Sequence, residues 1–159
     1  MRRRGEEGQE IALFGLLLAM VVAVGAMLAV NLLWLRFGWT ALQEAAISAA
    51  AAGTLEVDGL PGARALDPNE AEQAARRLLA ENLTGLPFLD GDPAEIAERA
   101  EICTLNPAPD ECLPDPLGGP CHRAPFVTLR VQMPVRLPWG GWRLTLPGRA
   151  VAEAGESPE

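Results

Sequence analysis

The sequence predicts an α+β protein on a membrane stem: a long N-terminal transmembrane helix that continues outside the membrane, two shorter helices, a Pro/Cys-rich loop and a C-terminal antiparallel β-hairpin or small sheet. Three observations carry this. Ile11 to Leu35 is an uncharged apolar run. Two Asp-Pro-x-Glu starts each precede a helical apolar pattern. Near the C-terminus, apolar and polar residues alternate with the period of a strand.

Composition narrows the class. All 13 basic residues are Arg, the net charge is −8 and His122 is the only histidine. An acidic chain of pI 4.7 is a poor nucleic-acid binder. One histidine excludes a multi-His metal site and any mechanism that needs two. The high apolar content, 49%, opposes disorder throughout, and no cofactor motif is present.

Residues 1–10 form a basic and acidic leader, with Arg2, Arg3 and Arg4 ahead of Glu6, Glu7 and Glu10. Residues 11–35 span roughly 37 Å as a helix, more than a hydrocarbon core of about 30 Å. A domain of this size could hardly cover such a run, which disfavours a buried core helix. A cleaved signal peptide is the other rival, with Ala23-Val24-Gly25 as its cleavage site. The length of the run and its acidic flank oppose that rival. Three N-terminal Arg against Arg36 predict a cytoplasmic N-terminus by the positive-inside rule. The chain is then a single-pass protein with everything after Leu35 outside the cytoplasm. Trp34 and Trp39 suit the far interface. Gly15, Ala19, Ala23, Ala26 and Ala29 recur every three or four residues. Such a stripe lets a second helix approach closely, with Asn31 beside it to hydrogen-bond across the contact.

Residues 36–53 extend the helix, because Thr40 to Ala52 is strongly helix-forming and Gly53 suits a C-terminal cap. Residues 54–153 form the extracytoplasmic α+β domain. Thr54 to Leu66 is connection, with a short extended piece at Leu55-Glu56-Val57. Asp67-Pro68-Asn69-Glu70 starts a helix with Ala71, Ala74, Ala75, Leu78, Leu79 and Leu83 on its apolar face, and Gly85 and Pro87 stop it. Asp92-Pro93-Ala94-Glu95 starts a shorter helix expected to reach about Ile102. Five Pro between Cys103 and Cys121 predict irregular structure there. Phe126–Met133 and Trp142–Leu146 are strands around a Pro138-Trp139-Gly140-Gly141 turn, and Arg149–Ala152 extends the second. Residues 154–159 form a frayed tail.

Cys103, Cys112 and Cys121 are spaced nine apart with no CxxC pair. An exported segment favours a disulfide over zinc. Three pairings are open. Cys103–Cys121 would tie the second short helix to the first strand and contribute about 3 kcal/mol. Cys121-His122 is a poor nucleophile–base pair, because adjacent residues rarely orient for it. Asn82-Leu83-Thr84 is a weak glycosylation sequon on a helix. Glu95, Glu98 and Glu101 fit a solvated helix face. No enzyme motif emerges.

The basic leader RRRGEEGQE, the apolar span and LQEAAISAAAAG at Leu42–Gly53 resemble the TadE/TadG-like proteins of bacterial tight-adherence (Flp) pilus systems. VTLRVQMPVRLP and LTLPGRAVAE look like that family's usual ending. The resemblance implies a non-enzymatic, pseudopilin-type subunit in the cytoplasmic (inner) membrane. Its partners would be the membrane, other pilus or secretion subunits met through the N-terminal helix, and a prepilin peptidase. It further implies cleavage after Gly5, which places Glu10 fifth in the mature chain to pair with a neighbour's terminal amine. Gly8 competes as the cleavage point, and alignment there puts Leu13 in the fifth place. The alternative is a single-span anchored or secreted binding module unrelated to pili.

Overall fold

A computed structural model describes residues 6–56, 65–108 and 110–155. Helix α1 runs unbroken over Glu6–Gly53, roughly 72 Å long. No proline interrupts it, and Gly38 does not break it. Helix α2 spans Pro68–Leu83 and α3 Pro93–Glu98. The strands are β1 (Glu101–Leu105), β2 (Leu113–Pro114), β3 (Cys121–His122), β4 (Phe126–Arg136) and β5 (Arg143–Glu153). Strands β1, β4 and β5 form one antiparallel sheet in the order β1-β4-β5, and β2 and β3 form a separate two-stranded ladder.

The core lies between the helices and one face of this sheet. Leu42, Ala45, Ala46, Ala49 and Ala50 of α1 are buried against Ala71, Ala75, Leu79 and Leu83 of α2 and against Val127, Leu129, Val131, Met133 and Val135 of β4. The alanines on α1 let helix and sheet approach closely. A Cβ on Gly148 of β5 would stand 2.8 Å from Leu42 Cγ, and one on Gly53 would stand 2.9 Å from the Ala71 carbonyl oxygen. Gly53 therefore serves a close approach to α2. It is the last helical residue of α1 and lacks the positive φ of a left-handed cap. That corrects its expected capping role, and Gly85 (φ 84°) is the residue that takes the left-handed conformation after α2.

Both Asp-Pro starts are helix caps. Asp67 Oδ1 accepts from the backbone N–H of Asn69 and Glu70 at 2.8 and 3.0 Å, and Asp92 Oδ1 from Ala94 at 2.9 Å. Pro68 and Pro93 occupy first-turn positions where no N–H is needed. The expected face of α2 is buried at Ala71, Ala74, Ala75, Leu79 and Leu83, and Leu78 is half-buried.

Two expectations need correction. The second short helix does not reach Ile102. It ends at Glu98, and Glu101–Leu105 pairs with Phe126–Arg130 as β1. That pairing buries Ile102 beside Leu129, a gain no exposed extra helical turn could match. Arg76 of α2 fixes the break by donating to the carbonyls of Ala97, Glu98 and Ala100 at 2.9, 2.8 and 3.0 Å. Ala97 and Glu98 close the last turn of α3 and Ala100 lies just past its C-cap Arg99, so one guanidinium nitrogen spans the helix end. The Pro-rich stretch is likewise not wholly irregular: Leu113–Pro114 pairs with Cys121–His122. Both C-terminal strands are longer than the alternation alone predicts, running 11 residues each in continuous register from Phe126↔Glu153 to Arg136↔Arg143. Pro147 sits in β5, at the edge of the sheet, where a missing N–H is tolerated.

Of the expected connection, residues 57–64, including Val57, lie outside the described residues. Asn106 pins the chain at Leu66, just ahead of α2. Its side-chain amide accepts from Leu66 N–H at 2.8 Å and donates to Leu66 C=O at 2.9 Å.

Candidate functional site

The candidate sites fall on α1 and on the two ends of the sheet. From Ala12 to Gly25 every residue of α1 is exposed within the chain. Only one helix among the described residues is long and apolar enough to cross a membrane, and this is it. Gly15, Ala19, Ala23, Ala26 and Ala29 all lie on the exposed part. Burial begins at Asn31, resumes at Gly38 and continues through Leu42, Ala45, Ala46, Ala49 and Gly53. At about 100° per residue, the small-residue stripe points roughly 145° away from that buried side. Farther along α1, Val30, Leu33, Trp34 and Phe37 line a wholly apolar hollow of about 360 Å³. It is on the stripe's side of the helix by the same rotation. The stripe and this hollow lie on one apolar side of α1, and at its edge Trp34 also packs edge-on against Phe88 of the domain, 5.8 Å between ring centroids.

Asn31 does not face that side. It is 6% exposed, and its side-chain amide meets the backbone of Trp139 twice. Nδ2 donates to the Trp139 carbonyl and Oδ1 accepts from the Trp139 N–H, both at 3.4 Å. The structure thus spends Asn31 on a contact within the chain. Gly5 lies outside the described residues. Glu10 is the fifth residue of α1, in its second turn.

The other end of the sheet is built differently. Cys112 and Cys121 form the disulfide, and Cys103 is free. The bridge closes the loop between β2 and β3 onto themselves and leaves Cys103 in β1. This loop covers the outer face of the sheet near Phe126 and Thr128, which are fully buried although that face is otherwise polar. Asp115 in the loop pairs with Arg149 of β5, and its Oδ1 accepts from Leu117 N–H at 2.9 Å. Burial pushes the Asp115 carboxyl up. The Leu117 N–H, the Arg149 guanidinium and the nearby Thr128 hydroxyl outweigh burial and hold it below its ordinary value. Arg130 donates to Leu117 C=O at 2.6 Å. His122 Nδ1 pairs with Glu153, and its ring stacks on Phe126 at 4.4 Å between centroids. The Cys103 thiol is raised, first by burial and then by Glu72, Glu101 and Asp115.

These groups make a staple. Cys121 is bonded to Cys112, so His122 has no adjacent thiol to activate. Among the described residues no cluster of His, Cys, Asp and Glu could hold a metal. Asn82 and Thr84 of the sequon are exposed at the end of α2, with Thr84 capping it. Glu95 and Glu98 are solvated, but Glu101 belongs to β1 and reaches Arg130 at 3.3 Å. Beside it, Arg99, Glu101, Arg130, Gln132 and Thr145 line an open depression of about 390 Å³ on the polar face of the sheet.

Sequence reasoning missed the pairing of Asn31 with the β4–β5 turn and the roles of Asp115 and Arg149. An Asn within an apolar run signals a required partner, although not which one. Compared with known proteins, the chain matches no family model, no curated protein and no solved structure.

Proposed function

We propose that this chain is a non-enzymatic, single-pass subunit of a tight-adherence (Flp) pilus or a related secretion system. It is anchored in the bacterial cytoplasmic membrane with its N-terminus inside and its α+β domain outside. One observation carries the reading: a single helix supplies both an apolar stem with a small-residue side facing away from the domain and the first layer of the domain's core. A stem of that kind can pack laterally with copies or partner subunits without moving the domain. The leader fits the same reading. If Gly5 is the cleavage point, Glu10 stands just before the uncharged span, and a neighbour's terminal amine offsets a carboxylate that is costly at the membrane edge.

Intact mass of the detergent-extracted protein from its native host tests this. Loss of residues 1–5, abolished by Gly5→Ala, is the expected result, with Glu10→Ala retaining membrane insertion and losing co-purification with partner subunits. A mass that still contains Arg2–Arg4 in the presence of the cognate peptidase overturns the processing step. Retained co-purification of Glu10→Ala overturns the pairing. A second reading, an anchored binding module unrelated to pili, draws on the open depression around Arg130 and Glu101. It predicts a ligand whose binding survives deletion of the stem.

A further inference from the structure

The β4–β5 turn is the least conventional surface of the domain. Trp139 and Trp142 are 54% and 62% exposed, and Leu144 beside them is also exposed. Gly140 and Gly141, with φ of 84° and 62°, hold the two indoles at the very end of the hairpin. Two indoles and a leucine gathered on one hairpin tip make a contiguous exposed apolar patch, the kind that marks a contact site.

The position of the turn along α1 says which. Asn31 binds the Trp139 backbone through both amide atoms, so the tip of the hairpin is level with Asn31. Leu146 and Gly148 of β5 lie against Gly38 and Leu42, so the hairpin runs alongside α1 toward its N-terminal half. With Glu10 at the inner edge of the hydrocarbon, Asn31 stands roughly 31 Å farther along. The hydrocarbon core is about 30 Å thick. The two tryptophans therefore sit at the outer hydrocarbon boundary, where an amphipathic indole is most favourable.

Charge supplies an independent observation. Arg136 and Arg143 face each other as cross-strand partners a few residues behind the tip, and Arg36 lies on α1 about 8 Å beyond Asn31. Like charges directly opposite are unfavourable. Arg143 is paired with Asp90 at 2.8 Å, while Arg36 and Arg136 have no ion-pair partner among the described residues. In a chain of net charge −8, this places cations at the level of the lipid phosphates.

The geometry points to a second membrane contact: the β4–β5 hairpin tip docks in the outer leaflet, with Trp139 and Trp142 at the hydrocarbon boundary and Arg36 and Arg136 on phospholipid phosphates. This rests on the membrane-spanning reading of α1. The contact fixes the tilt and height of the domain above the bilayer. The hairpin tip itself lies on the side of α1 opposite the small-residue stripe, so its docking and helix packing do not compete.

The test uses the full chain in vesicles of phosphatidylcholine and phosphatidylglycerol that carry bromine at shallow or deep acyl positions. Trp34→Phe, Trp39→Phe and Trp139→Phe together leave Trp142 as the only indole. A control with all four tryptophans changed to Phe and Val22→Trp reports the span itself. The expected result is that Trp142 loses most of its emission to shallow bromine, resists aqueous iodide, and keeps both properties on dilution with lipid. The Val22→Trp control should be quenched best by deep bromine. Arg136→Gln should reduce the shallow quenching when phosphatidylglycerol is present. Quenching of the control with Trp142 open to iodide overturns the tip contact and leaves the anchor intact. No quenching of either overturns the anchor as well. Iodide shielding that vanishes on dilution, without bromine quenching, identifies a protein partner and also overturns the lipid contact. A thermal unfolding midpoint by circular dichroism close to that of the unaltered chain verifies that the domain is folded in each variant.

Discussion

Residues 12–30 and 38–53 belong to one helix, yet they solve opposite problems. The first part is apolar on every side and touches little of its own chain. The second is buried on one side only, against α2 and the sheet, with Glu44, Ile47 and Ser48 left outward. No break, proline or cap marks the change. The difference lies in what each part packs on. The upper part buries Ala45, Ala46, Ala49 and Ala50 around a single large side chain, Leu42, and Gly148 leaves the room for it, since a Cβ there would stand 2.8 Å from Leu42 Cγ. The lower part uses Leu, Val and Met in bulk, as a lipid-facing surface does. On the membrane-anchored reading proposed above, one continuous helix carries two surfaces for two solvents, lipid for the first part and the domain core for the second.

The same side-chain truncation should act differently in the two parts. Leu42→Ala removes a fully buried side chain and is expected to destabilise the domain by about 2–5 kcal/mol. Leu17→Ala should leave the domain's unfolding midpoint in detergent unchanged. Thermal unfolding followed by circular dichroism reads both, and equal effects would mean the lower part is also core. A charge has the reverse preference. Val22→Arg costs about 2.5–3.5 kcal/mol of insertion and lowers the membrane-bound fraction, whereas Ser48→Arg on the exposed upper side should not. A smaller effect sharpens the packing claim. Gly148→Ala should cost about 1–3 kcal/mol by forcing Leu42 aside, while Gly25→Ala, which meets nothing within 4 Å, costs the domain nothing.

The smallest effect belongs to the staple at the far end of the sheet. Asp115 has a folded pKa below its ordinary value of 3.8. Its contribution is therefore fully present above that value. It declines as pH falls below about 4 and is gone once pH passes the folded pKa. Asp115→Asn should flatten that part of the acid-unfolding curve and leave the neutral-pH comparison between the two parts of α1 intact.

The elements that could be read from the chain were those with a local cause. Asp67-Pro68 and Asp92-Pro93 are caps whose signal is complete within four residues. The apolar run needs no partner to be recognised. The alternation in β4 repeats often enough to stand alone. What escaped was set by distant partners. Glu101–Leu105 is too short for alternation to distinguish it from a helix end, and only Phe126–Arg130 makes it a strand. Leu113–Pro114 pairs across a disulfide whose choice among three pairings rests on tertiary geometry. Asn31 looked like a residue for another chain, because its partner is a backbone 108 positions away. Gly53 was legible as a helix end, but its reason, the Ala71 carbonyl, was not.

On the membrane-anchored reading, the boundary between the two solvents falls within α1, near Asn31 to Arg36. Cysteine accessibility in right-side-out membrane vesicles tests it most directly. With Cys103→Ser as background, Ser48→Cys and Val22→Cys are each treated with a membrane-impermeant maleimide before and after detergent. Ser48→Cys is expected to label fully in intact vesicles and Val22→Cys only after detergent. Equal labelling of both positions in intact vesicles, or a protein that stays in solution without detergent, would contradict it.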